Sequence, residues 1–264
     1  MLTPRVVKLG GNELDRPDWL VGCARALARL DPVVVVHGGG HAVSALSHRL
    51  GLPVQKRDGR RVTSPEVAEV VEQVMAGPVN RKVVAALRAA GLDAVGLSGV
   101  DGGLLTARPG PVELGHVGEI AGVRVALLES FLLAGLTPVI APMAPGGRGG
   151  GGGGGTDDVD RPPFNVNADD AAAAIAGALQ AAELLLVSDV PGVQVDGALR
   201  PALDVGEIET LIELGVVADG MAAKLRAATT ALRAGARAVR IGDARLLDDS
   251  RSGTSILASA VQPA

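Results

Sequence analysis

The chain has 264 residues, of which 47% are hydrophobic and 20% charged, and its 25 basic and 29 acidic residues give a formal net charge of −4. A chain of this length buries a sizeable core, either as one large domain or as two packed lobes. The charges are interspersed, and there are two Phe, one Trp and no Tyr. Nucleic-acid binding is therefore disfavoured, because the sequence offers neither a basic stripe nor base-stacking side chains.

The single cysteine and the lack of long apolar runs indicate the cellular compartment in which the protein is expected. Cys23 has no partner for an internal disulfide, which fits a reducing cytoplasm, and its place in an apolar stripe indicates core packing. Residues 1–9 include Arg5 and Lys8 and do not resemble a signal peptide. No uncharged apolar stretch reaches the roughly 18 residues of a membrane span. We expect a cytoplasmic protein.

Short apolar runs alternate with longer helical patterns. The runs suit strands buried on both faces of a parallel sheet, and they lie at residues 5–9, 32–36, 94–97, 137–141, 184–187 and 238–241. The helical patterns lie at residues 18–30, 64–77, 79–90, 169–182 and 220–234, with another from about residue 41. This alternation predicts a doubly wound α/β fold with right-handed crossovers.

Two early strands end in glycine-rich turns. Lys8-Leu9-Gly10-Gly11 closes the first, and His37-Gly38-Gly39-Gly40 closes the second before a helix. A lysine at the end of a parallel strand points into the crevice where such sheets bind ligands. Glycines let backbone N–H groups approach an anion. The alternative is an esterase oxyanion hole, which requires a Gly-x-Ser-x-Gly motif. The nearest match, residues 96–100, reads Gly-Leu-Ser-Gly-Val and lacks the final glycine, so the esterase is disfavoured.

Later polar residues have a functional and a plain interpretation. Arg61 lies just before the helix that begins at Ser64-Pro65. It either binds a substrate carboxylate through a bidentate fork or is a solvent-exposed loop arginine. Asn165 and Asn167 alternate before Asp169, which either orients a lysine or caps the following helix.

Two further motifs follow strand and helix boundaries. Residues 188–192, Ser-Asp-Val-Pro-Gly, follow a strand and either hold a nucleotide or form a turn. Lys224 falls in the first turn of the last long helix, where a lysine opposes the helix dipole. The histidines have no metal-ligand spacing, although His37 and His41 are four apart. Residues 146–155 are nearly pure glycine and predict a mobile hairpin tip or surface loop.

In their joint order and spacing, these motifs closely resemble those of the amino acid kinase family, and within it the acetylglutamate kinases. The resemblance runs from about Val6 to Leu257 and is carried by Lys8-Leu9-Gly10-Gly11, His37-Gly38-Gly39-Gly40, Arg61-Val62-Thr63, residues 96–99, residues 114–118, Asn165-Val166-Asn167-Ala168-Asp169, Ser188-Asp189-Val190, and Asp219-Gly220-Met221 with Lys224.

The resemblance implies a three-layer αβα sandwich with a mostly parallel central sheet and two lobes. Residues 1–178 would bind the amino acid substrate and dimerise, and residues 179–264 would bind ATP. The implied reaction is ATP-dependent phosphorylation of the γ-carboxylate of N-acetyl-L-glutamate in arginine biosynthesis, with Mg²⁺. That carboxylate, with a reference pKa of about 4.3, is already ionised at neutral pH, so no general base is required.

The resemblance also implies residue roles. Lys8 and Lys224 would stabilise the transferring phosphoryl group, Asp169 would hold both lysines, and Gly11 with the turn at residues 38–40 would donate N–H groups. The implied substrate-binding set is Gly39, Gly40, Arg61 and Asn165, and the implied nucleotide-binding set is Gly10, Ser188, Asp189, Val190, Gly192, Val216, Val217 and Ala218. No protein metal ligand is expected.

Two departures from the family pattern and two rival functions remain. The polyglycine insertion stands where relatives have a short hairpin beside the substrate. Lys8 is only seven residues after Met1, which leaves no room for the N-terminal helix of arginine-inhibited hexamers, so a homodimer insensitive to arginine is expected. One rival is a kinase for α-aminoadipate on an acidic carrier protein, which Lys56, Arg57, Arg60 and Arg61 would attract. The other is a catalytically silent amino acid sensor.

Overall fold

An eight-stranded sheet forms the centre of the molecule. The computed structural model describes residues 3–30, 32–57, 59–146 and 162–258. In order across the sheet, with numbering along the chain, the strands are β14 (Ala202–Asp204), β16 (Thr254–Leu257), β15 (Val239–Gly242), β11 (Glu183–Val187), β1 (Arg5–Leu9), β2 (Val33–His37), β8 (Thr137–Ala141) and β5 (Ala94–Ser98). The strands from β15 to β5 are parallel, whereas β16 runs antiparallel to β15.

Helices cover both faces of this sheet. They are α1 (Pro17–Leu27), α2 (Gly40–Arg49), α3 (Pro65–Val74), α4 (Asn80–Ala89), α5 (Val125–Leu133), α6 (Ala168–Ala178), α7 (Val205–Glu213) and α8 (Asp219–Arg233). Side chains alternate along each strand: Val34 packs in the core with α6 and α8, and Val35 packs in the core with α1, α3 and α4. Two cores separated by one sheet make a three-layer αβα sandwich, as predicted.

Smaller strands lie beside the main sheet. A four-stranded sheet contains, in order, β6 (Leu105–Pro109), β7 (Val117–Val123), β10 (Phe164–Val166) and β9 (Met143–Ala144). Two hairpins are β3 (Lys56–Arg57) with β4 (Arg60–Arg61), and β12 (Gln194–Val195) with β13 (Ala198–Leu199). The strands of two or three residues were not predicted, because such short runs carry no readable periodicity. The longer strands β6 and β7, of five and seven residues, were also missed, because neither is a continuous apolar run.

Local signals placed α3 and α4 correctly. Ser64 caps α3, and its Oγ accepts a hydrogen bond from Val67 N at 3.3 Å. The helical path breaks at Gly77, where φ is −91° and ψ is −113°, within a π-helical turn that spans Met75–Val79. This kink lies where Gly77-Pro78 predicted a break.

The helices α5 and α7 were missed, and α6 is shorter than predicted. Val125–Leu133 is almost uniformly apolar, so no helical period stands out. The helix α6 stops at Ala178 rather than at residue 182, because Gln180 has φ 48° and turns the chain toward β11. Across the described ranges, no helix is long and apolar enough to cross a membrane. The predicted mobility of the glycine-rich segment concerns residues 147–155, which lie outside the described residues.

Candidate active site

A cleft of about 410 Å³ opens at the carboxyl edge of the central sheet. The strand β1 lies between β2 and β11, so the chain leaves β1 toward one side and returns later on the other. Open α/β sheets bind ligands at such a switch point, since the loops diverge there. The cleft is lined by the residues that follow β1, β2 and β11, together with the starts of α6 and α8.

Two glycine turns pack against each other at the base of the cleft. A Cβ at Gly11 would lie 2.5 Å from the Gly39 nitrogen, and a Cβ at Gly38 would lie 2.8 Å from the Gly11 nitrogen. Only glycine permits this approach of two backbones. The N–H of Gly38 donates to Leu9 O at 3.0 Å and is therefore engaged. The anion donors left on this turn are the N–H groups of Gly39 and Gly40.

A triad of buried charges faces these turns. Asp169 Oδ1 lies 2.8 Å from Lys8 Nζ, and Asp169 Oδ2 lies 3.2 Å from Lys224 Nζ. The side chains of Lys8 and Asp169 are each only 7% exposed, and that of Lys224 is 14% exposed. One carboxylate between two ammonium groups leaves one excess positive charge, which is suited to an anionic ligand.

Burial and mutual charge set the pKa values of this triad. Burial lowers the pKa of Lys8; the charge of Lys224 lowers it further, and Asp169 opposes both. Burial alone would raise the pKa of Asp169, but the charges and hydrogen bonds of Lys8 and Lys224 outweigh it and hold that pKa below its ordinary value. Asp169 is therefore a carboxylate at neutral pH.

Local structure frees Asp169 for this role. The cap of α6 is Asn167, whose Oδ1 accepts from Asp169 N at 2.8 Å and from Asp170 N at 3.4 Å. The plain interpretation of Asp169 as the cap was wrong, because the neighbouring amide takes that place. The predicted position of Lys224 also needs correction, since α8 begins at Asp219 and Lys224 lies in its second turn.

Arg61 is buried in the cleft, and no acidic side chain pairs with it among the described residues. Its Nη2 donates to Gly40 O at 2.8 Å and to Ser44 Oγ at 2.7 Å. Its Nη1 is buried and has no hydrogen-bond partner among the described residues. Burial lowers the pKa of this guanidinium. An unsatisfied buried cation is costly, so this group calls for an anionic ligand.

Asn165 is connected to Arg61 through the hydroxyl of Thr63. Its Nδ2 donates to Thr63 Oγ1 at 3.1 Å, and Thr63 Oγ1 donates to the carbonyl of Arg61 at 2.9 Å. Asn165 and Thr63, which are 102 positions apart in sequence, thus belong to one chain of hydrogen bonds that ends at the Arg61 carbonyl. Sequence alternation had grouped Asn165 with Asn167, but the structure uses the second amide as a helix cap.

The β3–β4 hairpin lies across the cleft. A Cβ at Gly59 would contact the backbone of Asp219 and Gly220 at 3.4 Å, at the start of α8. From the same hairpin, Arg60 Nη2 lies 3.3 Å from Asp170 Oδ2 on α6. The hairpin therefore contacts both helices that carry the charged triad.

Replacement of Asp170 by Asn is expected to change the pH dependence of stability. Burial raises the pKa of Asp170 to about 6, although Arg60 opposes this. Between its ordinary value of 3.8 and about 6, the folded state binds a proton that the unfolded state lacks, so Asp170 lowers stability as pH rises through that window. The side chain is 35% exposed, so we expect an effect on the order of 1 kcal/mol after solvent screening. Thermal melting of both proteins from pH 4 to 8 measures it; identical pH slopes would contradict the expectation.

The nucleotide-binding prediction is divided by the structure. Ser188 follows β11, its N–H donates to Gly242 O at 2.7 Å, and its Oγ donates to Asp189 Oδ1 at 3.0 Å. The predicted nucleotide residues that line the cleft are Gly10, Ser188, Asp189 and Val190, and those that do not are Gly192, Val216, Val217 and Ala218. Nucleotide binding stays a prediction for both groups.

The other predicted residues meet in one place. The cleft lining contains Lys8, Gly11, Gly39, Gly40, Arg61, Asn165, Asp169 and Lys224. Sequence reasoning missed an apolar wall made by Val43, Val71, Met75 and Val117. No motif marks these side chains, because an apolar residue that lines a cleft has the same pattern as one in the core.

Nothing in the described ranges forms a metal cluster from three or more His, Cys, Asp or Glu side chains. Among the described residues, three of the four carboxylates that line the cleft, Asp169, Asp170 and Glu13, pair with cations, and the fourth, Asp189, accepts a hydrogen bond from Ser188 Oγ. One carboxylate outside these ion pairs is too few ligands to hold a metal without further oxygen donors.

Comparisons with known proteins agree with this geometry. A model of the amino acid kinase family matches residues 3–243. Acetylglutamate kinase of Chloroflexus aurantiacus is 47% identical over 245 residues, which cover 91% of this chain and 92% of that protein. Acetylglutamate kinase of Bacillus cereus is 41% identical over 237 residues, which cover 89% and 88%.

Solved structures are similar as well. N-acetylglutamate synthase from Neisseria gonorrhoeae, complexed with coenzyme A and N-acetyl-glutamate, has a TM-score of 0.80 and 26% identity, and the match covers 98% of this chain and 60% of that one. Carbamate kinase from Giardia lamblia, bound to AMP-PNP, has a TM-score of 0.73 at 14% identity and covers 97% and 99%. The latter likeness shows the fold alone.

Proposed function

The chain belongs to the amino acid kinase family, and from this premise we propose that it transfers the γ-phosphoryl group of ATP to the γ-carboxylate of N-acetyl-L-glutamate, a step of arginine biosynthesis. The observation that carries the proposal is the joint presence, in one cleft, of the Lys8–Asp169–Lys224 triad and the buried guanidinium of Arg61. The triad suits a transferring phosphoryl group, and the guanidinium of Arg61 suits a second carboxylate of the substrate.

The chemistry explains the residue types in the cleft. The nucleophile is a carboxylate, ionised at neutral pH, so no side chain has to remove a proton. The barrier arises from bringing an anion to a polyanion, and catalysis then consists of positioning and charge stabilisation. Lys8 and Lys224 supply the charge, Asp169 keeps them in place, and the N–H groups of Gly39 and Gly40 supply further donors.

The acetyl group fits the apolar wall. Val71 and Met75 line the same cleft as Arg61. A methyl group can bury its surface there, whereas the ammonium group of free glutamate would lose its hydration without gaining a partner. This wall supports an N-acylated substrate over a free amino acid.

Replacement of Arg61 by Lys is expected to raise the KM for N-acetylglutamate by about 10- to 100-fold with a smaller change in kcat. Lysine keeps the charge but cannot form the bidentate fork, so it loses binding shared by ground and transition states. Steady-state kinetics with each substrate varied separately measures this. The KM for ATP serves as the internal control; an equal rise in both KM values would contradict the role given to Arg61.

A carrier-bound α-aminoadipate substrate is the alternative. Its basic cluster is divided in the structure: Lys56 and Arg57 are exposed, Arg60 pairs with Asp170, and Arg61 turns inward to Gly40. This division favours the small substrate. Turnover of free N-acetylglutamate compared with turnover of carrier-bound α-aminoadipate distinguishes the two substrates. Faster turnover of the carrier-bound substrate would overturn the proposal of a small free substrate. The silent-sensor alternative is disfavoured, because both lysines and Asp169 are present and in contact.

The division of labour and the assembly belong to the same proposal. Residues 1–178 would bind the amino acid derivative and dimerise, and residues 179–264 would bind ATP. The sheet ends at β5, which pairs only with β8 among the described strands and so offers an edge for a second copy. Sedimentation of a homodimer supports this, and a hexamer would refute it. Magnesium would enter with the nucleotide phosphates, as this ion commonly does. A cytoplasmic location fits the unpaired Cys23.

A further inference from the structure

A buried histidine lies directly behind the glycine turn. His37 is the last residue of β2, is 0% exposed, and does not line the cleft. Its Nδ1 is 2.8 Å from the carbonyl oxygen of Gly38. A carbonyl oxygen can only accept a hydrogen bond, so the proton of the ring must be on Nδ1. Nε2 is then a bare acceptor.

Asn80 meets that acceptor from the opposite side. Its Nδ2 lies 3.1 Å from His37 Nε2, 2.9 Å from Val139 O and 3.3 Å from Leu97 O. Its Oδ1 accepts from Arg81 Nη2 at 2.7 Å. Carbonyl acceptors on one side and a guanidinium donor on the other fix the orientation of the amide. In this orientation the Asn80 Nδ2 group presents a donor to Nε2, which is compatible with a ring proton on Nδ1.

The ring is also neutral in this setting. Burial, with a smaller contribution from the charge of Arg81, lowers the pKa of His37 to about 4 despite its bond to Gly38. A neutral ring with one proton has one donor and one acceptor, and both are used. The network leaves neither ring nitrogen free to adopt another partner.

The bond to Gly38 O controls a group inside the cleft. The carbonyl of Gly38 and the N–H of Gly39 belong to one planar trans peptide, in which the two groups point in opposite directions. A carbonyl held toward the buried side of the turn therefore turns the N–H of Gly39 away from it, toward the cleft. The side chains of Met75 and Val79 lie beside Gly39, since a Cβ there would meet both of them.

The kinked helical segment supplies the residues that contact His37 and Gly39 from the side opposite to β2. Met75 and Val79 bound the π-helical turn, and Asn80 begins α4 directly after it. The kink lets two consecutive residues act on the glycine turn, Val79 by packing on Gly39 and Asn80 by its hydrogen bond to His37. A straight helix would rotate these side chains out of this register.

We propose that His37 and Asn80 are positioning residues for phosphoryl transfer, which together hold the Gly38–Gly39 peptide so that the Gly39 N–H faces the transferred phosphoryl group. Neither side chain touches substrate; both act through the backbone of the turn. The proposal rests on the proposed function, because the group that Gly39 would stabilise is defined by that reaction.

Two substitutions of His37 separate its two hydrogen bonds. Asparagine can place its amide nitrogen near the position of Nδ1, and glutamine can place its amide near the position of Nε2. His37→Asn is thus expected to keep the bond to Gly38 O, and His37→Gln to keep only the contact with Asn80. We expect His37→Gln to lower kcat by about 10- to 100-fold, the effect of a displaced donor, and His37→Asn to retain most of the turnover.

The matched control is Leu87→Ala, which removes a fully buried side chain from the same helix as Asn80 without touching the network. It should lower the melting temperature at least as much as His37→Gln while leaving kcat nearly unchanged. KM values in His37→Gln should stay within about threefold of wild type, because a donor used in the transition state does not change ground-state binding. Equal losses of kcat in both His37 variants, or a loss that tracks the melting temperature, would overturn the proposal.

A measurement independent of activity covers variants that do not fold. Nitrogen-15 NMR of the wild-type protein should find His37 neutral, with its proton on Nδ1, from pH 6 to 8. A proton on Nε2 would overturn the proposal, whatever the kinetics. Absence of kinase activity in the wild-type protein, with the Nδ1 tautomer present, would refute the proposed function instead.

Discussion

Replacement of Lys8 by Ala is expected to lower kcat by at least about 10²-fold, the usual cost of losing one preorganised donor in a water-poor site. The side chain of Lys8 is 7% exposed and its Nζ lies 2.8 Å from Asp169 Oδ1, so its charge acts where solvent screens little. Steady-state kinetics with both substrates at saturation measures the loss.

The control for this variant is another lysine that is absent from the cleft. Lys82 is 41% exposed on α4 and lies 3.6 Å from Asp15, so Lys82→Ala should leave kcat unchanged. Folding of Lys8→Ala can be verified by its melting temperature, because removal of a buried charge need not destabilise the protein. A near-wild-type kcat in folded Lys8→Ala would contradict the role of the triad.

Replacement of Asp169 by Asn should affect stability and catalysis together. It leaves two buried ammonium groups side by side, and uncompensated buried charge typically costs about 3–5 kcal/mol. The pKa of Lys8, already lowered by burial, loses the opposing effect of Asp169 and falls further. Activity should therefore be lost at a lower pH on the basic side of the profile than in the wild-type protein.

The stabilisation that Asp169 gives to the wild-type fold should decrease in acid. The lowered pKa of Asp169 stabilises the fold above the ordinary carboxyl value of 3.8, and this contribution is lost as pH falls toward the folded-state pKa. Denaturant unfolding at pH 7 and at low pH should show the gap between Asp169→Asn and wild type narrowing in acid. The exposed pair of Asp93 and Arg88 supplies the control, since Asp93→Asn should cost less than about 1 kcal/mol. A constant gap, or equal costs, would contradict this view of Asp169.

Features that depend on a few neighbouring residues were readable from the sequence. The apolar runs define the central strands, and Ser64-Pro65 and Gly77-Pro78 mark the start of α3 and the kink before α4. The glycine turns were readable because a strand followed by Gly-Gly has few uses other than close backbone approach. Gly11 against Gly38 is that approach.

Features that depend on partners far apart in sequence were not readable. Asn80 and His37 are 43 positions apart, and neither sits in a pattern that marks the other as a partner. Asn167 and Asp169 are both good helix caps, so only the tertiary position of the two lysines decides which of them caps α6. The apolar wall at Val71 and Met75 had the periodicity of an ordinary core helix.

Phosphorylation of N-acetylglutamate produces an acyl phosphate, and detection of this product tests the proposed function most directly. Hydroxylamine traps acyl phosphates as hydroxamates, so the direct measurement is hydroxamate formation with ATP and N-acetylglutamate, glutamate or aspartate in parallel. We expect ATP-dependent hydroxamate from N-acetylglutamate and at least about 10-fold less from the two free amino acids, whose ammonium groups do not fit an apolar wall. No ATP-dependent hydroxamate from N-acetylglutamate, or as much from a free amino acid, would contradict the proposed function.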